Sequence, residues 1–297
     1  MTYVNLARLL SLSAIWGASF LFMRVAAPVL GPVWLIGGRV ACAALFLWPL
    51  ALLLRRPLAL RTYWKHYLVL GAINSALPFL LLAYSARTLT ASLLAVLNAT
   101  APLFGGLIQA LVMREPLGTK AAAGLVVGFM GVVILAAGSG LALEPGAPLA
   151  IAAGLAAALS YGAASVYARR QSGRGPLANA HGSMWAATLL VVPLLPLFPA
   201  DAPATGGVIG AVVALGVVCS GIAYLLYFRL IQEVGAPAAL TVTFLVPVFG
   251  ILWGHLFLAE PIGVSTVLGT VTVLTGAAWV TGFAPLRWLL TRRPAHP

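Results

Sequence analysis

The stretch PLFGGLIQALVMREPL at residues 102–117 returns at residues 247–262 as PVFGILWGHLFLAEPI, with a proline, Phe-Gly two positions on, and Glu-Pro thirteen positions after the first proline. The shift of 145 that carries Pro102 onto Pro247 also places Gly17 on Gly162, Arg24 on Arg169, Gly37 on Gly182, Gly71 on Gly216 and Ser75 on Ser220. It continues through Gly124 on Gly269 and Gly131 on Gly276. Glycines alone coincide by chance, but an ungapped register that also pairs Arg and Glu-Pro reads as an internal duplication.

The repeated unit is membranous. Of 297 residues, 62% are hydrophobic and 7% charged, with a mean hydropathy of +1.06. An ordinary soluble domain has roughly 45–50% and 25%, so a water-soluble globule is excluded. Runs such as Ala121 to Ala137 are apolar on every side, which removes the alternation a membrane β-barrel needs. Punctuation at charges, prolines and glycines predicts ten spans, at roughly 5–26, 32–54, 67–86, 89–112, 118–138, 147–168, 179–199, 207–228, 235–257 and 263–284. The first is read as a helix rather than a signal segment, because the repeat matches it to a mid-chain span. The expectation is an all-α polytopic membrane protein with ten transmembrane helices in two inverted five-helix repeats, 1–142 and 146–287.

A formal charge of +12 would suggest nucleic acid in a soluble chain. Here most of the 17 basic residues fall in short gaps on one side of the numbered spans, among them Arg55, Arg56, Arg61, Lys65, Arg114, Lys120, Arg169, Arg170 and Arg174. The other side holds Arg24 and Arg87 with Glu144, Asp201 and Glu260. That asymmetry puts both termini in the cytoplasm and leaves no nucleic-acid footprint. Trp48, Trp64, Trp185, Trp279 and Trp288 fall near span ends, as an interfacial belt does. Cys42 and Cys219 lie inside apolar runs and read as packing residues.

Five spans per copy is an odd number, so the second copy enters the membrane in the opposite sense. Arg24 then falls on the outer side and its mate Arg169 on the inner. Inverted halves suit alternating access to a midplane site.

These residues resemble the drug/metabolite transporter superfamily, specifically its ten-helix exporters built from two EamA-type repeats. The resemblance rests on Trp16-Gly17-Ala18-Ser19-Phe20 with Arg24 and Arg39, on Pro102 through Glu115-Pro116 to Gly124 and Gly131, on Tyr161-Gly162-Ala163, and on Pro247 through Glu260-Pro261 to Gly269 and Gly276. Within that superfamily the chain is most similar to the aromatic amino-acid exporters of bacterial inner membranes. The resemblance implies an exporter in the inner membrane, with a small-molecule substrate.

All five acids lie at span ends or in connections, and no carboxylate sits near the bilayer centre. Small multidrug exporters carry a membrane-embedded glutamate in the first helix, where this chain has Ser13, Trp16 and Ser19. A neutral or zwitterionic solute is therefore favoured over a proton-coupled multidrug antiporter, which stands as the alternative. His181 and His255 lack spaced acidic partners for proton relay. Proline inside a helix frees the carbonyl four residues back, so Pro78, Pro102 and Pro247 mark kinks that release those of Asn74, Asn98 and Thr243. By the repeat, the substrate cavity is expected between Trp16, Ser19, Asn74, Ser75, Pro78 and Asn98 of the first half and Ser160, Tyr161, Ser220, Tyr224, Thr243 and Phe244 of the second. Trp16 and Tyr161 coincide under the shift and are expected to face each other, with packing as the plainer role. Arg39, Glu115 and Glu260 are candidate gates, although Glu-Pro also marks a helix start.

The glycine series Gly124, Gly128, Gly131 and the pair Gly250, Gly254 have helix-packing spacing, within the chain or in a dimer. A monomer or weak homodimer is expected. No metal spacing, cofactor motif or hydrolase triad is present. Enzyme, sensory and passive-channel readings are set below the exporter.

Overall fold

The computed structural model describes residues 2–54, 58–114, 117–138, 145–171, 176–235, 239 and 241–282, and every regular element among them is helical. In chain order these are α1 (Tyr3–Leu53), α2 (Leu60–Gly71), a π-helical segment (Ala72–Ala76), α3 (Leu77–Ser85), α4 (Ala91–Asn98), α5 (Ala101–Met113), α6 (Thr119–Gly138) and α7 (Ala147–Arg170). There follow α8 (Pro176–Val191), a 3-10 segment (Val192–Leu197), α9 (Gly206–Val213), a second π-helical segment (Ala214–Ile222), α10 (Ala223–Val234), α11 (Val242–Leu258) and α12 (Val264–Thr281). Eight helical runs are long and apolar enough to cross a membrane, and α11 is a shorter apolar helix of 17 residues. The protein is a multi-pass membrane protein.

The 51-residue α1 is not one rod. Gly31 inside it is non-helical at φ 70°, ψ 166°. Pro32 disfavours helical backbone in the residue before it, and only glycine takes this conformation without strain. Arg39 Nη1 lies 3.9 Å from Met23 Sδ. A continuous helix would set these residues about 24 Å apart, so the chain folds back at Gly31 and the two arms run side by side.

Contacts sort the connections onto two ends. At the near end the start of α1 meets the end of α10, where Arg8 pairs with Glu233. At the far end Gly31 approaches Asp201, Ser85 Oγ lies 2.7 Å from Ala150 O, and Arg87 pairs with Asp201 at 3.2 Å. The helices run past two of the expected limits at the near end. The third span begins at Leu60 rather than 67, and the eighth continues to Val234 rather than 228. Punctuation at charges cut both short, yet Arg61, Lys65, Arg229 and Glu233 continue their helices with their charged ends toward solvent. The ninth begins at Val242 rather than 235, with 236–238 and 240 outside the described residues.

Close helix contacts set the packing. A Cβ on Gly124 would lie 2.8 Å from Gly276 O, and one on Gly131 would lie 2.6 Å from Val273 N and 2.8 Å from Gly269 O. The small-residue stripe of α6 is thus filled by α12, and Gly250 and Gly254 of α11 face Ala95 and Ser92 of α4. These faces pack inside the chain, the first of the two roles their spacing allowed. Trp48, Trp64, Trp185 and Trp279 are each at least a third exposed, beside many exposed Leu and Val side chains. Some buried hydroxyls bond back to their own helices, as Ser13 Oγ does to Leu9 O at 2.8 Å.

Candidate functional site

Among the described residues the most buried charge is Arg39, on the second arm of α1 about two turns from Gly31, and only 5% exposed. Its Nε donates to Ser220 Oγ at 3.1 Å, and its guanidinium carbon stands 3.6 Å from the centroid of the Phe79 ring. Nη1 touches the Met23 thioether. Tyr161, Tyr224 and Cys219 lie within its electrostatic reach. Four elements converge here: α1, α3, α7, and the second π-helical segment running into α10. Arg39 is a buried cation within the second expected span, where the sequence places no carboxylate.

Arg39 is also poorly compensated. A guanidinium carries five N–H donors, and the contacts of Arg39 are one hydroxyl, one thioether and one ring face, which leaves donors without an oxygen acceptor in a buried setting. The ion pairs among the described residues are Arg8–Glu233, Arg87–Asp201 and Arg229–Glu233, and none involves Arg39. Arg24 donates to the carbonyls of Ala86 and Arg87 at 2.9 and 2.8 Å, at the C-terminal end of α3, where a cation is favourable.

Both π-helical segments lie at this junction. In the first, Pro78 has no N–H to give to Asn74 O, and the Leu77 N–H reaches back five residues to Ala72 O. In the second, Ser220 Oγ donates to Leu215 O at 2.9 Å. Each segment also offers a carbonyl to a donor from a distant helix. Ser160 Oγ donates to Ile73 O at 2.6 Å, and Trp16 Nε1 donates to Cys219 O at 3.2 Å. Asn74 of the first segment lies close to Tyr224, which opens α10 two residues past the end of the second.

Of the residues selected from sequence, Arg39, Asn74, Ser160, Tyr161, Ser220 and Tyr224 therefore share the junction, with Trp16 at its edge and Pro78 beside Phe79. Ser75 is fully buried one turn before Phe79, and its Oγ has no partner. Ser19 bonds only Trp16 O of its own helix, at 2.6 Å. Asn98 Oδ1 is buried without a partner at the break before α5, where Pro102 restarts the helix. Thr243 and Phe244 sit partly buried in the first turn of α11, which continues through Pro247.

Trp16 and Tyr161 do not form the expected pair. Trp16 packs on Tyr227 at 5.4 Å between centroids, and Tyr161 on Phe79 at 6.5 Å. An ion-pair gate for Glu260 is likewise corrected. Its carboxylate accepts from Ala91 N at 2.7 Å, Ser92 N at 3.0 Å and Ser92 Oγ at 2.6 Å, so it caps α4 from the connection before α12. Glu115, the other acidic gate candidate, lies outside the described residues. Sequence reasoning missed Phe79, Met23, Cys219 and Tyr227. The available signals were an arginine interrupting an apolar run, and a phenylalanine one turn from Ser75 beside Pro78.

His181 Nε2 accepts from Trp185 Nε1 at 2.8 Å, and His66 bridges Tyr167 and Asn179 at 3.2 and 3.1 Å. Among the described residues no three His, Cys, Asp or Glu side chains gather as a metal site.

The EamA-like transporter family matches this chain twice, over residues 6–137 and 148–282. The chain is similar to a transporter named YoaV of Bacillus subtilis, at 24% identity over 90% of this chain and 93% of the other. A transporter of Archaeoglobus fulgidus is 26% identical over 88% and 92%, and YvbV of Bacillus subtilis is 26% identical over 89% and 87%. One crystal structure shares the fold with a TM-score of 0.65, at 21% identity, covering 95% of this chain and 98% of its own. With almost the whole length matched by two successive copies of one profile, the chain belongs to the EamA-like transporter family.

Proposed function

We propose that this transporter is an inner-membrane exporter of small metabolites, amino acids including aromatic ones, working by alternating access between two inverted repeats, 1–142 and 146–287. The observation that carries this reading is an exchange of contacts under the shift of 145. A Cβ on Gly17 would meet Phe249 Cβ at 2.7 Å and Gly250 N at 2.9 Å, while one on Gly162 would meet Phe104 Cβ at 3.0 Å and Gly105 N at 2.7 Å. Gly124 against Gly276 is likewise mirrored by Gly269 against Gly131. Around Gly38 and Gly182 the register shortens to 144, since Gly38 faces Val212 as Gly182 faces Tyr67.

The sense of the copies supports inversion. α1 starts at the near end beside Glu233, whereas α7 starts at the far end beside Ser85. Counting the hairpin α1 as two crossings and adding α11 gives ten, and the basic residues cluster at the near end, which the positive-inside rule places in the cytoplasm with both termini. Two halves that meet through interchangeable contacts can swap conformations, opening the junction around Arg39 first to one side and then to the other.

The test is counterflow of labelled L-phenylalanine and other amino acids in proteoliposomes with no imposed pH gradient. Saturable uptake that depends on internal unlabelled amino acid is expected. Absence of uptake for every amino acid would sink the proposal.

A further inference from the structure

We propose that the Arg39 guanidinium is a carboxylate-binding site, so that the transported solute is a monocarboxylate with an aromatic or apolar body, as a free acid anion or as a zwitterion. The inference rests on the transporter reading above and narrows its substrate class.

Four observations converge. Arg39 is buried and meets one hydroxyl, one thioether and one ring face, with no acid among its described contacts. Among the described residues the other buried or half-buried charges are satisfied by the protein itself: Glu260 by α4, Arg8 by Glu233, and Arg24 by the end of α3. A guanidinium left with open N–H edges in low dielectric is a receptor for a planar anion, which it grips through two parallel hydrogen bonds. The Ser75 hydroxyl, one turn from Phe79 on the same helix, is a second buried polar group without a partner, and it is free to donate to such an anion. The rings of Phe79, Tyr161, Tyr224 and Trp16 supply apolar walls for the rest of the solute.

The site is single. Under the repeat Arg39 falls on Met184, or on Ser183 in the shortened register, and neither can hold an anion as a cation does. One cation in two otherwise exchangeable halves fixes which end of the solute leads. A cationic solute would meet an uncompensated like charge and is rejected.

The test uses the full chain in detergent, with 3-phenylpropionate, L-phenylalanine, 3-phenylpropanol and phenethylamine as probes and the apparent Tm as readout. The two carboxylates should raise Tm saturably, and the alcohol and amine should not. Arg39→Gln should weaken both carboxylates by about tenfold or more, since a bidentate charged contact is lost, while its unliganded Tm stays equal or rises. Arg39→Lys, a point charge without the fork, should fall between. The probe series on the unsubstituted protein decides the matter even where a variant fails to fold. The proposal is overturned if phenethylamine stabilises more than both carboxylates, if no carboxylate acts up to about 10 mM, or if Arg39→Gln binds 3-phenylpropionate as the parent does. Counterflow separates the two claims. Saturable exchange of an amine or neutral solute overturns the anion site and leaves the transporter standing. Arg39-dependent carboxylate binding without any counterflow does the reverse.

Discussion

Replacing Glu260 tests whether one buried carboxylate fastens the two halves at the far end. In Glu260→Ala, the N–H groups of Ala91 and Ser92 and the Ser92 hydroxyl lose their acceptor, while the third orphan donor of the helix, Leu93 N, keeps Thr90 Oγ1 at 3.2 Å. Charge-assisted hydrogen bonds contribute about 1.5–3 kcal/mol each, and the charge at the positive end of α4 adds about 0.3–1. Water reaching the membrane edge recovers part of this, so the net loss is about 2–4 kcal/mol. At roughly 2 °C or slightly more per kcal/mol for a chain of this size, the apparent Tm at fixed scan rate in one detergent falls by roughly 5–10 °C. Glu260→Gln keeps an acceptor oxygen and loses the charge, for about half that fall. Ser92→Ala removes one bond of the three and costs about 1 kcal/mol. The reasoning is refuted if Glu260→Ala shifts Tm by less than 1–2 °C, or if Ser92→Ala costs as much as Glu260→Ala.

Two further substitutions probe the backbone packing. Gly276→Ala pushes a methyl into the backbone of Gly124 and Gly128, and overpacking of this kind costs about 1–3 kcal/mol, whereas Gly118→Ala, with open space around it, should leave Tm unchanged; equal effects would contradict the packing described. Gly31→Ala should cost about 1–3 kcal/mol through its φ of 70°. Because the new Cβ would meet Asp201 Oδ2 at an ordinary 3.4 Å, adding Asp201→Ala should not restore the Tm, and rescue would point to a steric origin instead.

The sequence showed what is local or periodic. Hydropathy located the helical runs because burial in lipid needs every backbone group satisfied within the segment, and the glycine register found the contact points because close approach tolerates no Cβ. What escaped were choices of partner. Glu260 capping Ala91 joins residues 169 apart, and Arg39 to Ser220 joins residues 181 apart. Nothing in the run around Glu260 distinguishes a cap for its own helix from one for α4. The π-helical segments escaped for a related reason: Pro78 explains the first, but the second contains no proline and is held by Ser220, Cys219 and Trp16 acting across the fold. Arg39 itself was visible as a charge inside an apolar run, but its partner Ser220 lies on another helix and no local pattern announces it.

The one-residue turn at Gly31 has a consequence for how the chain is made. Its arms are joined with no polar segment between them, so they are expected to leave the translocon as a unit, and Arg39 enters the membrane with Met23 of the first arm beside it. Ser220 follows 181 residues later, which at about 5–20 residues per second is a delay of roughly 10–40 s. Over that interval a lone guanidinium, costing about 2.5–3.5 kcal/mol on an insertion scale, is carried by the apolar length of its own hairpin. The apolar hairpin from Tyr3 to Leu53 is thus also what lets a charged group be placed in the bilayer before its distant partners arrive.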